Sequence, residues 1–379
     1  MPLPAKRRWR RTGGGILLVV VLAVAAVWGI AAFLRVQKER RAAAVLESLG
    51  AVVQYGDRSG LARGLAESRW IPSILRDESR SAIVAVVMRP DSGKDVDFRV
   101  LGEQLKRLPR LESLHLYSPS VTDACLAELK GLTQLRSLAL AGTGISDEGL
   151  ASLQGMADLE DLNLAGTSVS DLGLVQIEPL TRLKSLSLSG TGVSDDGLIH
   201  LREMTEIESL FLNATDVTGE GLIHLRSFRR LHRLELDNTP VTDRGLRELA
   251  VLWHLRTISL CGTRISDGGL VHLRQIPDLI ALDLSDTQIS DAGLACLSEM
   301  PRLGQLTLSG TRISDAGLEH LARIRDLRWL DLSRTNITEA GLEPLKNLKH
   351  LWRLDLSETH VSEKAITAWE ETLRANFEP

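Results

Sequence analysis

The chain has 379 residues, of which 44% are hydrophobic and 25% are charged, a balance typical of globular domains. Residues 1–41 carry nine Lys or Arg and one acid, whereas residues 42–379 carry 36 basic and 48 acidic residues, so the body of the chain has a net charge of −12. Nucleic-acid binding depends on clustered Lys and Arg, and a body this acidic excludes that class of partner.

The first predicted element is an uncharged stretch of 22 residues, Gly13–Leu34. A helix of this length reaches roughly 33 Å, which is enough to cross a lipid bilayer. Because basic residues crowd the tail at 1–12, the positive-inside rule predicts a cytoplasmic N-terminus, a transmembrane anchor at 13–34 and an extracytoplasmic body. The alternative is a signal peptide cleaved at the small residues Ala23–Ala25, which would give a secreted protein.

Residues 35–82 connect this predicted anchor to the repeats. Residues 35–49 are rich in helix formers and are followed by Gly50, which predicts a juxtamembrane helix. Residues 51–82 show only a weak pattern, interrupted by Pro72 and several glycines. We expect a small N-terminal cap there, because the open end of a stack of repeats must be covered.

From Leu111 onward the sequence repeats every 24 residues without insertion or deletion, with the consensus LxxLxLxxTx[IV][ST]DxGLxxLxxLxx. The segment LxxLxL alternates as a short strand does, and GLxxLxxL spaces its leucines along one helix face. A single unit cannot bury its apolar side alone, so the units must stack. We predict one continuous solenoid over residues 83–372, with a degenerate first unit near Ile83, and a tail at 373–379. Eleven regular units begin at Leu111, Leu135, Leu159, Leu183, Ile207, Leu231, Leu255, Leu279, Leu303, Leu327 and Leu351.

Three further positions of the unit have structural interpretations, with the first leucine counted as position one. Thr at position nine, such as Thr191, is expected to bond backbone groups after the strand, since no base accompanies it for catalysis. Ser or Thr at position twelve followed by Asp at position thirteen predicts a helix N-cap rather than a metal ladder. Gly at position fifteen, such as Gly197, predicts close backbone approach between neighbouring units.

This pattern resembles the leucine-rich repeat family, in a variant similar to the cysteine-containing subclass of F-box-type proteins, with Thr where that subclass often has Cys. The layout of anchor, connecting segment and repeats is similar to membrane-anchored bacterial proteins of planctomycete type. The resemblance implies an α/β solenoid, curved, with a parallel β-sheet on the concave side and helices on the convex side. It also implies an alternative function, a substrate-recruiting subunit of a ubiquitin ligase, although residues 35–82 are short for an F-box module.

Side chains at positions three, five, seven and eight point away from the leucines and are free to serve function. They are mostly small in the first four units and become aromatic or charged from the fifth, as at anchors of protein interfaces. A merely solvated face is the alternative interpretation. The excess of acids predicts a basic partner. The candidate partner-binding residues are Phe211, Arg233, Glu235, Asp237, Asp283, Asp286, Trp329, Asp331, Arg353 and Asp355.

The sequence shows no recognisable enzyme, cofactor or metal motif. Cys125, Cys261 and Cys296 have no ligand spacing and are interpreted as packing residues. The histidines at position eighteen (His200, His224, His272 and His320) have no accompanying carboxylate or Cys column. We therefore predict a non-enzymatic, membrane-anchored protein that binds a protein or cell-envelope ligand outside the cytoplasm. A structural spacer of the envelope is the further alternative, and the oligomeric state is left open.

Overall fold

The computed structural model describes residues 31, 33–57, 81–88, 96–300 and 302–375. These belong to two compact units, the first drawn from residues 1–87 and 92–112 and the second from residues 88–91 and 113–379. The predicted anchor Gly13–Leu34, the tail before it and the cleavage site within it lie almost entirely outside the described residues. Among the described residues, no helix combines the length and the apolar character needed to cross a membrane.

Two strands and two helices lie in the described part of the first unit. A helix covers residues 33–48, and Gly50 follows it with a φ of 89°. The strands are Ala51–Asp57 (β1) and Ser81–Met88 (β2), the second of which contains the predicted degenerate repeat strand. The helix Phe98–Leu105 begins after Asp97, whose carboxylate accepts hydrogen bonds from the backbone nitrogens of Arg99 and Val100. The core of the first unit includes Leu46, Ile83, Val86, Leu101 and Leu105.

The second unit contains a parallel sheet of eleven strands within its described residues, and strands follow one another in chain order. Each strand residue pairs with the residue 24 positions later in the next strand, as in Leu186↔Leu210. The 24-residue phase of the sequence is therefore the register of the sheet, and the predicted α/β repeat fold is confirmed. The strands are Ser113–Leu116 (β3), Ser137–Ala139 (β4), Asp161–Asn163 (β5), Ser185–Ser187 (β6), Ser209–Phe211 (β7), Arg233–Glu235 (β8), Thr257–Ser259 (β9), Ala281–Asp283 (β10), Gln305–Thr307 (β11), Trp329–Asp331 (β12) and Arg353–Asp355 (β13).

A short helix follows each of these strands. The α-helices are Asp123–Leu129, Asp147–Leu150, Asp171–Ile177, Asp195–Leu198, Asp243–Leu249, Asp267–Leu273, Asp291–Leu297, Asp315–Leu321 and Glu363–Ala375. The second and fourth of them continue as 3₁₀ turns, Ala151–Leu153 and Ile199–Leu201. Units five and ten instead form only 3₁₀ helix, at Gly221–Ser227, Glu339–Leu342 and Pro344–Asn347. Two nearby glycines in unit five and a proline in unit ten disfavour the α-helix there.

The core of the second unit consists of the leucine columns. Leu186, Leu188, Leu198 and Leu201 of the fourth unit are fully buried, as predicted. The threonine column closes the turn after each strand: Thr191 Oγ1 donates a 2.5 Å hydrogen bond to the carbonyl oxygen of Leu188. The same bond recurs in the other threonines of position nine, such as Thr143 at 2.6 Å, which confirms their structural role.

In units one to four and six to ten, the Ser or Thr at position twelve is the N-cap residue of its helix, as predicted, and Ser170, Ser194 and Thr338 make the side-chain cap bond. The aspartates at position thirteen have a role that the sequence did not predict. They stand at the first helical residue, but each carboxylate bonds the next unit instead of capping its own helix: Asp171 Oδ1 accepts from Ser194 N at 2.7 Å and Oδ2 accepts from Ser194 Oγ at 2.6 Å. Such a pair of bonds, here called a rung, joins units at Asp123–Ser146, Asp147–Ser170, Asp171–Ser194, Asp195–Thr218, Asp243–Ser266, Asp267–Ser290, Asp291–Ser314 and Asp315–Thr338. The sequence pattern of a cap is the same, so it could not distinguish the two roles.

The rung also explains the glycine at position fifteen. A Cβ atom on Gly197 would lie 2.3 Å from Asp171 Oδ1, so the close approach predicted for this position is to the carboxylate of the preceding unit. Two of the ten junctions lack the pair of bonds: at the last one Glu339 accepts only from the hydroxyl of Ser362, and in unit five Gly219 replaces the aspartate. There the two backbones touch directly, and a Cβ on Gly219 would lie 2.6 Å from the Cα of Gly245.

Candidate ligand-binding face

The sheet face, meaning positions three, five, seven and eight of each unit, is the part of the repeat that the leucine core leaves free. In the strands the middle residue is buried and its neighbours are partly exposed, as in β6 and β7. All ten predicted partner-binding residues occupy this face by register. Their contact with a partner stays a prediction.

The first cluster of the sheet face is built on Phe211. The guanidinium of Arg233 lies over the Phe211 ring, 5.2 Å from its centroid. Its Nη2 donates a hydrogen bond of 2.6 Å to Glu235 Oε1. Asn213 connects this group to the next turn, because its Nδ2 donates to Glu235 Oε2 at 2.8 Å and its Oδ1 accepts from Asp237 N at 2.9 Å. Four of the predicted residues therefore form one connected cluster, here called the Phe211 cluster.

A second cluster, here called the Trp329 cluster, has the same kind of arrangement near the C-terminal end of the sheet. Arg353 pairs with Trp329 in the register of β12 and β13, and its guanidinium lies 4.9 Å from the indole centroid. Stacking of this kind is a cation–π interaction. Both aromatic rings are half-buried rather than exposed, since an arginine covers each of them.

The aspartates at position five of these strands bond their own turns. Asp283 Oδ1 accepts from Ser285 N at 2.8 Å, and Asp331 and Asp355 accept from Ser333 N and Ser357 N, each at 2.9 Å. The hydrogen bonds from Ser357 lower the pKa of Asp355. These carboxylates are partly accessible, and the turn gives each of them a structural role as well.

Asp237, which belongs to the Phe211 cluster, and Cys261 of the next unit both occupy position seven. Asp237 Oδ1 accepts from Ser259 Oγ at 2.5 Å and from Cys261 N at 2.9 Å, while burial raises the pKa of its carboxyl. Burial and the nearby carboxylates of Asp283 and Asp237 raise the pKa of the Cys261 thiol to about 11. The thiol therefore stays protonated at neutral pH and is a poor nucleophile.

Position eight lies in a turn of the repeat whose backbone strains residues other than glycine. Its φ is positive in ten units, from 52° to 69°, a region that favours glycine. Five units have glycine there, whereas Asp286 and Arg334 are among the five that do not. These two side chains meet across Gly310, with Arg334 Nη2 3.0 Å from Asp286 Oδ2.

The remaining candidate sites are the histidines at position eighteen and two exposed tryptophans. His200 Nδ1 lies 2.6 Å from Glu178 Oε1 on the helical side, and within the described ranges no group of three His, Cys, Asp or Glu residues could hold a metal ion. Sequence reasoning placed function on the sheet face alone and so missed Trp253 and Trp352, which are 61% and 54% exposed. Their signal is a large aromatic side chain outside the leucine positions.

Comparison with known proteins identifies the repeat. A family model described as Leucine Rich repeat matches residues 131–153, 180–201 and 276–298. The chain carries leucine-rich repeats. An internalin (inlF) of Listeria monocytogenes has a similar structure, with a TM-score of 0.56 and 19% identity over 81% of this chain and 90% of that chain. A second Listeria internalin (inlC2) has a TM-score of 0.43 and 25% identity over 55% of this chain and 84% of that one.

The structural likeness to the first internalin shows the fold alone, because the sequences are so different. No curated protein matches the chain at a significant level of sequence similarity. The leucine-rich repeats thus connect the chain with protein binding in general. The F-box-type subclass and the planctomycete-type layout stay predictions.

Proposed function

We propose that this chain is a non-enzymatic binding protein whose leucine-rich repeats hold a protein or cell-envelope ligand on the sheet face of units five to eleven. The residues Gly13–Leu34 anchor it in the membrane, with the repeats outside the cytoplasm. The ligand contacts the Phe211 cluster and the Trp329 cluster, and the first four units take little part.

The observation that supports this proposal is that large aromatic and charged side chains occupy a face whose residues the repeat fold does not dictate. The repeat requires leucines inside and accepts small residues outside, as in Ser137 and Ser185. An arginine stacked on an aromatic ring, formed twice, is not demanded by that rule. Residues of these types dominate binding energy at protein interfaces.

The charge of the face favours a basic partner. Six of the ten predicted residues are acids and two are arginines, and Arg334 is a third arginine on the same face. Arg233 pairs with Glu235 and Arg334 with Asp286, which leaves the other carboxylates as an acidic excess. Binding of a basic partner to such a face weakens as salt screens the charges.

Photo-crosslinking tests the location of the contact. The full-length chain, extracted in neutral detergent, would carry a photo-reactive residue in place of either Glu235 or Asn163, both at position five. We expect crosslinks to a second protein or envelope polymer from position 235 and few from position 163. Crosslinks only to further copies of the chain would instead support the spacer function, and crosslinks only from position 163 would refute the choice of face.

Once the ligand is identified, the double variant Phe211→Ala with Trp329→Ala should weaken its binding by more than about 1 kcal/mol. The matched control is Ser137→Ala with Ser185→Ala on the same face, which should leave binding unchanged. Equal affinity of both variants would refute the role of the clusters. Protease accessibility of the repeats in intact cells separately tests their extracytoplasmic location.

A further inference from the structure

A pocket at the edge of the sheet has a charge opposite to that of the sheet face. It opens at the amino-terminal ends of β7, β8 and β9 and has a volume of about 430 Å³. Its lining is Glu208, Arg229, Arg230, His232, His254 and Arg256, so three arginines and two histidines face one acid. We propose that this pocket, here called the edge pocket, binds a phosphate group of a ligand.

Two arginines elsewhere along this edge are paired with acids. Arg182 Nη1 lies 2.6 Å from Asp158 Oδ1 and Arg136 Nη1 lies 2.5 Å from Glu160 Oε1, so an arginine of one unit is neutralised by an acid of its neighbour. In contrast, neither Arg229 nor Arg256 has an ion pair or side-chain hydrogen bond within the described part of the chain.

The acids near the edge pocket are engaged by other groups. Glu206 Oε2 lies 3.4 Å from Arg230 Nη1, and Glu208 Oε2 lies 3.8 Å from His232 Nε2. Asp278 pairs with Arg302 and also lies 3.7 Å from His254 Nδ1. The guanidinium groups of Arg229 and Arg256 therefore line one pocket with no ion pair of their own, and an anion that entered it would gain favourable charge–charge interactions with them.

The chemistry of the lining selects the ligand. Guanidinium groups present planar pairs of N–H donors that match the oxygens of phosphate. The volume is that of a small-molecule site, yet its walls are charged rather than apolar, so an apolar ligand gains little there.

Isothermal titration calorimetry with inorganic pyrophosphate tests the edge pocket in the full-length chain in neutral detergent. We expect saturable binding that is weakened roughly tenfold or more by Arg229→Ala with Arg256→Ala, since each guanidinium–phosphate contact is a charge-assisted hydrogen bond. The matched control is Arg136→Ala with Arg182→Ala, arginines of the same edge that are already paired, and it should bind pyrophosphate as the wild type does. Thermal melting confirms that both double variants fold.

Equal binding by the two double variants, or no binding by the wild type, would overturn the proposal. Glucose 6-phosphate and soluble dihexanoyl phosphatidic acid then compare a sugar and a lipid that carry the same phosphate monoester. Tighter binding of either identifies the source of the phosphate, and equal binding of both means that the pocket recognises the phosphate alone. The result is independent of the sheet face, because none of these variants alters the Phe211 or Trp329 cluster.

Discussion

At the scale of single residues, the carboxylate of Asp171 joins two neighbouring repeats. It accepts hydrogen bonds from both the backbone nitrogen and the hydroxyl of Ser194, whose unit begins a new helix at that point. Without it, a partly buried N–H at the start of the helix would have no partner. An unsatisfied buried donor costs about 1–3 kcal/mol.

We therefore predict that Asp171→Ala lowers the free energy of unfolding by about 1–3 kcal/mol. Asp171→Asn, which keeps one acceptor oxygen, should lower it less. Urea denaturation of both variants measures the difference, and a double-mutant cycle with Ser194→Ala isolates the hydroxyl bond of the rung. A coupling energy near zero would mean that this hydroxyl bond contributes nothing, and unchanged stability of Asp171→Ala would mean that the whole rung contributes nothing to the junction between units.

A second feature at the residue scale is the strain at position eight. A non-glycine residue with a positive φ costs about 1–2 kcal/mol in backbone energy, and Asp286 adopts a φ of 53°. Its exposed ion pair with Arg334 offsets little of this, because exposed pairs are weak. The turn imposes the positive φ in ten units, and five of them avoid the strain with glycine, so the choice of Asp286 is not demanded by the fold; strained residues are often found at functional sites.

Replacing both residues, Asp286→Gly with Arg334→Gly, should leave the melting temperature unchanged or raise it by a few degrees, since the backbone strain disappears. The same variant should bind the ligand of the sheet face more weakly. Differential scanning calorimetry and the binding assay provide the two measurements. A clear loss of stability would show instead that the pair holds units eight and ten together.

At the scale of the repeat element, substitutions of glycine can distinguish the cost of crowding a neighbour from the cost of lost backbone freedom. In Gly197→Ala the new Cβ would lie 2.3 Å from Asp171 Oδ1 and 3.0 Å from Leu174 Cδ1, so the rung must give way. Overpacking of this kind costs typically about 1–3 kcal/mol. The control is Gly155→Ala, where the nearest atom would be Thr133 Cγ2 at 3.9 Å.

We predict that Gly197→Ala destabilises the chain by about 2 kcal/mol or more, whereas Gly155→Ala is neutral within about 1 kcal/mol. Chemical denaturation of the pair checks the prediction. Similar losses in both variants would mean that glycine is needed for its flexibility and not for the space occupied by the carboxylate.

The element is also where sequence reasoning was most successful. The phase of the leucines predicted the strands, the helices, the buried faces and the threonine bonds, because each is a local or periodic requirement of the 24-residue unit. It could not assign the aspartate to the next unit, since a cap and a rung share one sequence pattern. It also missed the cover of Phe211 by Arg233, which depends on side-chain contacts between adjacent strands.

The edge pocket was missed for a related reason. Arg229 and Arg256 belong to different units and stand at positions twenty-three and two, where charges of both signs are common. Only the three-dimensional pairing of neighbours shows which arginines lack an acid. The sequence can therefore predict the fold of such a chain more completely than its sites.

At the scale of the whole molecule, interactions between neighbouring units dominate, so damage should spread only a short way. Leu188 is fully buried, and Leu188→Asp places a carboxylate in an aliphatic stack at a cost of several kcal/mol. We predict loss of hydrogen-exchange protection in units three to five and retention in units eight to eleven. Ser187→Asp on the sheet face is the control, and uniform loss along the repeats would contradict coupling through neighbours.

The strict register of the strands also fixes the distances between side chains along the sheet. Phe211 lies on β7 and Trp329 on β12, five strand steps apart, which is roughly 24 Å along the sheet at about 4.8 Å per step. Any ligand that touches both clusters must match a spacing that can change only in whole steps. Removing one complete unit, residues 255–278, would bring the clusters about 4.8 Å closer while keeping the phase of the leucines, so the chain would fold but accept a shorter ligand.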